Sequence, residues 1–147
     1  MSVFKTVVAF VAVAALAGCA AEGPLHKEVA ASIPTVPAGK GRVYFYRADT
    51  MMGAAVTSDI TLNGRVVGKS ERGSFFFVDE NPGSCKASAS TEVERQVTFT
   101  LAAGETKYIK STISMGVMVG RVNLELVGPG DAKNDITELH YTGAPLK

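Results

Sequence analysis

Tryptophan is absent from this chain, and histidine and cysteine occur only twice each. Each scarcity removes a class of chemistry. Imidazole acid–base catalysis and His/Cys metal sites need several such groups brought together. His26 lies in a proline-punctuated N-terminal stretch, which leaves His140 as the one imidazole in the body of the chain. Asp131 and Asp135 beside His140 make too thin a set for a metal, so neither a metal nor another cofactor is expected. There is no Gly-x-Ser-x-Gly nucleophile elbow and no glycine-rich phosphate loop. Asp79-Glu80 and Glu105 are carboxylates of turn sequences and do not suggest a catalytic pair, so no catalytic residues are assigned. A cell-wall-directed hydrolase is kept as the alternative, because folding brings distant carboxylates together. Charge of one sign is lacking too. Fifteen Lys and Arg face fourteen Asp and Glu without a basic run, which argues against nucleic acid as a partner.

What is present begins with an apolar stretch. Met1–Lys5 forms a short, singly charged lead, and Thr6–Leu16 is apolar apart from Thr6. That length suits the core of a signal peptide and falls short of the roughly 20 residues a transmembrane helix needs. Leu16-Ala17-Gly18-Cys19 follows directly. Small residues at 17 and 18 let a peptidase bind the extended chain, and Cys19 supplies a thiolate for diacylglyceryl transfer. The four residues are similar to the lipobox of bacterial lipoproteins, with Leu16, Ala17 and Gly18 as recognition residues and Cys19 as the lipidation site. A secretory signal with an incidental cysteine is the competing reading. The resemblance implies a partner, the lipid bilayer, held through two or three acyl chains at about 0.8 kcal/mol per buried CH₂. Gram-negative lipoproteins kept at the inner membrane often carry Asp after the cysteine. Ala20 stands there in this chain, which implies the outer membrane, with the domain facing the periplasm.

Removal of residues 1–18 takes away Lys5 and leaves 14 basic and 14 acidic side chains. With Cys19 acylated, Cys85 has no partner for an internal disulfide. Cys85, Ala87 and Ala89 alternate with Lys86, Ser88 and Ser90, so the thiol is expected as a small core residue. A thiol-dependent role is the alternative.

Three divisions follow: the signal 1–18, a lipidated N-terminus and flexible tether 19–40, and a β-sandwich domain 41–147. Pro24, Pro34, Pro37 and Gly39 punctuate the tether, and Leu25–Ile33 offers at most a helical turn or two. A flexible linker of that length spans about 25 Å. From Gly41 the period becomes two. Arg42–Arg47 carries Val43 and Phe45 on one face and Tyr44 and Tyr46 on the other, as in a central strand. Strands are expected over Thr57–Leu62 and Arg65–Lys69, joined by Asn63-Gly64, the signal of a type I′ hairpin. Further strands are Ser74–Asp79, Cys85–Ser90, Arg95–Leu101, Thr106–Ile113 and Val117–Val127, the last with Val122, Leu124 and Leu126 inward. After Gly128-Pro129-Gly130, Asp131 is expected to cap a short helix to about Leu139, with a final edge strand over Ile136–Tyr141 as the competitor. The fold class is all-β and mainly antiparallel: a β-sandwich or open barrel of about seven to eight strands with a short C-terminal helix.

Gly41–Arg47, Asp59-Ile60-Thr61-Leu62-Asn63-Gly64, Val67-Gly68, Ser74-Phe75-Phe76, Pro82-Gly83 and Ala103–Tyr108 come in an order that resembles domain of unknown function 2846. That family comprises small bacterial envelope lipoproteins. The likeness covers roughly Gly41–Leu139 and rests on strand and turn signatures. It implies a fold and an address without an activity. Ile60–Ala89 also resembles, over that short span, surface β-repeats with a Pro-Glu-Gly-Ala signature.

Two features could carry binding. Tyr44, Tyr46 and Tyr108 would form an aromatic platform for a sugar or peptide if they share a solvent-facing strand surface. If they do not, they cover a second core layer. Met115-Gly116-Val117-Met118-Val119-Gly120 would be a protein or membrane contact if exposed, and is expected instead as a strand entry buried against the core. The resulting expectation is a membrane-anchored, non-enzymatic binding or structural module of the envelope, whose further partner is an envelope protein or glycan.

Overall fold

The computed structural model describes residues 21–147. Leu16, Ala17, Gly18 and Cys19 lie outside the described residues. Within them, nine strands form two sheets. They are β1 Gly41–Arg47, β2 Ser58–Leu62, β3 Arg65–Ser70, β4 Ser74–Glu80, β5 Gly83–Ser90, β6 Glu94–Leu101, β7 Thr106–Ser114, β8 Arg121–Val127 and β9 His140–Tyr141. One sheet has the order β8-β7-β1-β4-β9 and the other β3-β2-β5-β6. Most pairings are antiparallel, but β1 pairs with β7, and β4 with β9, in parallel. The mainly antiparallel sandwich anticipated from alternation is therefore the fold.

The main core lies between the sheets. Val43, Phe45, Phe76, Ile109 and Val122 from the first sheet meet Ile60, Leu62, Ala87, Ala89, Phe99 and Leu101 from the second. Stacked Phe45 and Phe76, 5.2 Å between centroids, need room opposite them. Gly68 supplies it: a Cβ there would lie 2.5 Å from the Phe76 ring. The Asn63-Gly64 hairpin forms as expected, with both residues at positive φ, 51° and 80°.

A second core lies on the outer face of the first sheet. Tyr46, Phe75 and Tyr108 are buried there under Ala132 and Ile136 of helix α2, Pro129–Ile136, together with Leu139 and Tyr141. The helix starts one turn earlier than expected, since Gly128 is its N-cap and Pro129 occupies the first turn. Asp131 is thus not the cap. Helix and strand both exist at this end, because Ile136 closes the helix before His140–Tyr141 pairs with β4.

The stretch expected as a tether is laid against the domain in its described part. Leu25 bridges His140, Tyr141 N–H donates to Pro24 C=O at 2.8 Å, and Val29 and Ile33 pack on the second core. A helical turn α1, His26–Val29, and a 3₁₀ turn, Ala30–Ser32, carry those side chains. Arg42 holds the far end of this segment. Its Nη1 donates to Pro34 C=O at 2.6 Å, while Nε and Nη2 pair with both oxygens of Asp79 at 2.7 and 3.0 Å. Prolines stopped helix growth, but they did not prevent packing.

Phe75 is fully buried and touches His26, Tyr44 and Tyr141 through its ring. Phe75→Ala is expected to lower unfolding stability by about 3–5 kcal/mol, read by urea denaturation. It should also raise amide exchange in residues 25–33 more than in β5 or β6.

Candidate functional site

The tyrosine platform is not a surface. Tyr46 is 2% and Tyr108 7% exposed, and Tyr44 stacks on Tyr108 at 5.1 Å between centroids, half buried. Of the two readings the sequence left open, the second core layer is the one found: α2 and the N-terminal segment cover this face. Burial raises the pKa of Tyr44, Tyr46 and Tyr108. Tyr46 Oη donates to Asp135 Oδ2 at 3.0 Å, and Lys110 Nζ reaches the same oxygen at 2.9 Å. The lysine's hydrogen bond holds Asp135 below its ordinary pKa, aided by Tyr46. Together these three groups pin α2 to the sheet. An open, polar groove of about 560 Å³ runs beside them, lined by Lys110, Glu125, Asp131 and Asn134 among others. Among the described residues, no group of three or more His, Cys, Asp or Glu is placed to hold a metal.

Cys85 is 1% exposed and lies in the inter-sheet core, where the alternation of β5 placed it. Its Sγ is 3.8 Å from Gly83 C=O. His26, in the stretch expected as a flexible tether, packs edge-on against Phe75 at 5.2 Å, and burial lowers its pKa.

The surface that stands out was expected to be buried. β8 begins at Arg121, not Val117, so residues 115–120 form a loop. Met115, Val117 and Met118 are 81%, 83% and 86% exposed, and Val119 is exposed as well. Across a shallow cleft of about 240 Å³ lies the loop between β1 and β2, with Met51 79% exposed and Met52 also open. Six of the nine large hydrophobic residues exposed in the described structure sit on these two loops, so they form one patch. Leu126, expected inward, is another of the nine; it lies near the end of β8, an edge strand of the first sheet. The missed signal is methionine usage. Of five methionines, every one after Met1 falls in this patch.

Loops this apolar do not expose themselves by default; they are held. Glu92, between β5 and β6, accepts from Val117 N–H at 2.8 Å and Met118 N–H at 3.0 Å, and from Arg121 Nε at 3.0 Å. Those bonds satisfy the loop backbone and turn its side chains outward. On the other loop, the buried Arg47 guanidinium donates to the carbonyls of Gly53 at 2.6 Å and Val56 at 2.5 Å. Gly53 is at φ 63°, and a Cβ there would lie 2.3 Å from Ile113 near the end of β7, while a Cβ at Gly120 would lie 3.1 Å from Val56, so the β1–β2 loop packs closely on the end of β7 and the foot of the second loop. Among the described residues no helix is long and apolar enough to cross a membrane.

Residues 37–122 match the model of a family described as "Protein of unknown function (DUF2846)". That span includes both apolar loops and stops before α2. An uncharacterized protein of Haemophilus influenzae (strain ATCC 51907 / DSM 11121 / KW20 / Rd) is 28% identical over 103 residues. The alignment covers 69% of this chain and 61% of that protein, so the chain spans less than two thirds of its relative's length. No solved structure matches significantly.

Backbone N–H bonds, Met118 first, hold Glu92 below the usual carboxylate pKa. Its hold on the loop is complete at neutral pH and is lost as pH falls through that lowered value. Glu92→Ala should therefore speed amide exchange at Val117 and Met118 at pH 7 while β7 stays protected. In wild type the same opening should appear only below the pH at which a free glutamate, near 4.3, is half protonated. Cys85 should resist alkylation in the folded protein and react fully in denaturant; fast labelling of the native state would revive a thiol-dependent role.

Proposed function

The chain belongs to the DUF2846 family of proteins of unknown function, and from there we propose that it is a lipid-anchored, non-enzymatic contact module of the bacterial envelope. Cys19 takes the acyl chains once the residues before it are removed, and the domain stands at the periplasmic side of the outer membrane. The observation that carries this reading is the patch of exposed methionine and valine side chains on two braced loops. A contiguous exposed apolar patch is what a contact surface requires. Several ionisable groups near it and on the outer face of the first sheet are engaged in holding structure. Glu92 braces a loop, Asp135 and Lys110 fix α2, and Asp79 neutralises Arg42. The lipobox residues Leu16–Cys19 support the address. What the module contacts is a component of the envelope in which it is anchored.

Radiolabelled palmitate fed to producing cells should label the wild-type protein and leave Cys19→Ala unlabelled. The variant should move from the membrane to the soluble periplasmic fraction. Label and membrane association that survive Cys19→Ala would overturn the anchoring.

A further inference from the structure

The first described residue is tied to the apolar end of the sandwich. Ala21 N–H donates to Arg72 C=O at 3.0 Å. Arg72 lies in the β3–β4 connection, and its side chain reaches the β1–β2 loop: Nη1 is 3.0 Å from Met51 Sδ and Nε 3.1 Å from Asp49 Oδ1. The loop bearing Met51 and Met52 shares its cleft with Met115, Met118 and Val119. Only Ala20 separates Ala21 from Cys19 in sequence, and two steps along the chain reach at most about 7 Å. Ala21 and the methionine patch are therefore at one end of the domain, and the chain leading to Cys19 departs from that end. The opposite end carries the 102–105 turn, beside the start of β1, where Gly104 N–H donates to Lys40 C=O.

Resting on the anchoring proposed above, we infer that the two loops seat on the bilayer that receives the acyl chains of Cys19, and that the domain stands end-on with Met51, Met52, Met115, Val117 and Met118 at the headgroup–acyl boundary. The occupant of the patch is the lipid surface. A short connection to an anchor keeps this end within reach of the membrane at all times, and flexible thioether chains adapt to a disordered surface. The braces explain why the loops do not collapse onto the core. Glu92 and Arg47 pair four loop backbone groups from within the domain, Val117 and Met118 N–H and Gly53 and Val56 C=O, which lowers the cost of bringing these loops against an apolar phase. Acyl chains and loop side chains then act together, and each makes the other's insertion effectively intramolecular.

The test uses full-length protein, processed in the cell, purified in detergent and reconstituted into phosphatidylethanolamine/phosphatidylglycerol vesicles. An environment-sensitive fluorophore is placed at Met118→Cys or, at the opposite end, at the exposed Ala103→Cys. Buried Cys85 leaves the introduced thiol as the reactive one. Mass spectrometry of the same samples reports acylation of Cys19. With Cys19 acylated, brominated lipid should quench the probe at 118 and leave the probe at 103 untouched. Quenching at neither position, or equally at both, overturns the end-on seating while leaving the anchor intact. An unacylated Cys19 overturns the anchoring, and the seating falls with it. Separately, unacylated Cys19→Ser protein should retain weak vesicle binding that falls about tenfold or more in Val117→Asp/Met118→Asp; no change would overturn lipid contact. In cells, a photoreactive residue replacing Met118 should crosslink to lipid, and crosslinking to one protein instead would overturn the assignment in favour of a protein partner.

Discussion

Strand β1 is buried on both faces, and the rest of the structure is arranged to allow it. Val43 and Phe45 face the inter-sheet core, while Tyr44 and Tyr46 face the second core. Each face ends in an arginine that is nearly fully buried, Arg42 at the start of the strand and Arg47 at its end. A buried guanidinium must find oxygen partners. Arg42 finds the carboxylate of Asp79 and the carbonyl of Pro34, and so draws the N-terminal segment onto the sheet. Arg47 finds the carbonyls of Gly53 and Val56, and so fixes the β1–β2 loop. Burial lowers the pKa of Arg47, with nearby Arg72 adding to the effect. The central strand thus sets both the cover on one face and the shape of the exposed end.

Strand content was legible because period two survives in a sandwich with one filled interior. Val97, Phe99 and Leu101 read as inward, and Phe99 and Leu101 are buried. The Asn63-Gly64 turn was legible because positive φ at two adjacent positions restricts residue choice. Misplacement occurred where tertiary context decides. Tyr44 and Tyr108 pack where a few helix residues, Ala132 and Ile136, happen to lie over the sheet, and nothing local to the tyrosines encodes that. The Met115–Gly120 stretch looks like buried strand by hydropathy alone. It is a loop because Glu92, more than twenty residues earlier, takes its backbone N–H groups. Composition held the missing clue, since methionine is withheld from both cores and collected at one end.

The two cores and the exposed patch use different side chains for a physical reason. Aromatic rings in the second core meet at fixed distances, 5.1 Å for Tyr44–Tyr108 and 5.3 Å for Phe75–Tyr141, and reward a rigid partner. Methionine is unbranched and polarisable, and it adapts to a surface without fixed shape. The backbone beneath those methionines is nonetheless braced by charged groups. The combination of rigid support and soft contacts separates this end from a frayed loop, and the family match spans all of it.

Both ends of the described chain close the same edge of the first sheet. Leu25 and Pro24 engage His140 and Tyr141, and β9 adds in parallel to β4. This has a consequence for the order in which the chain can be completed. A chain made or delivered from its N-terminus presents residues 21–33 first, yet the backbone partners of Pro24, Leu25 and His26, in Leu139–Tyr141, arrive more than a hundred residues later. The second core, against which Val29 and Ile33 pack, is complete only when the last helix and strand are in place. Final closure therefore waits for the final residues, and a chain truncated before Leu139 would lose the seal at both of its ends at once.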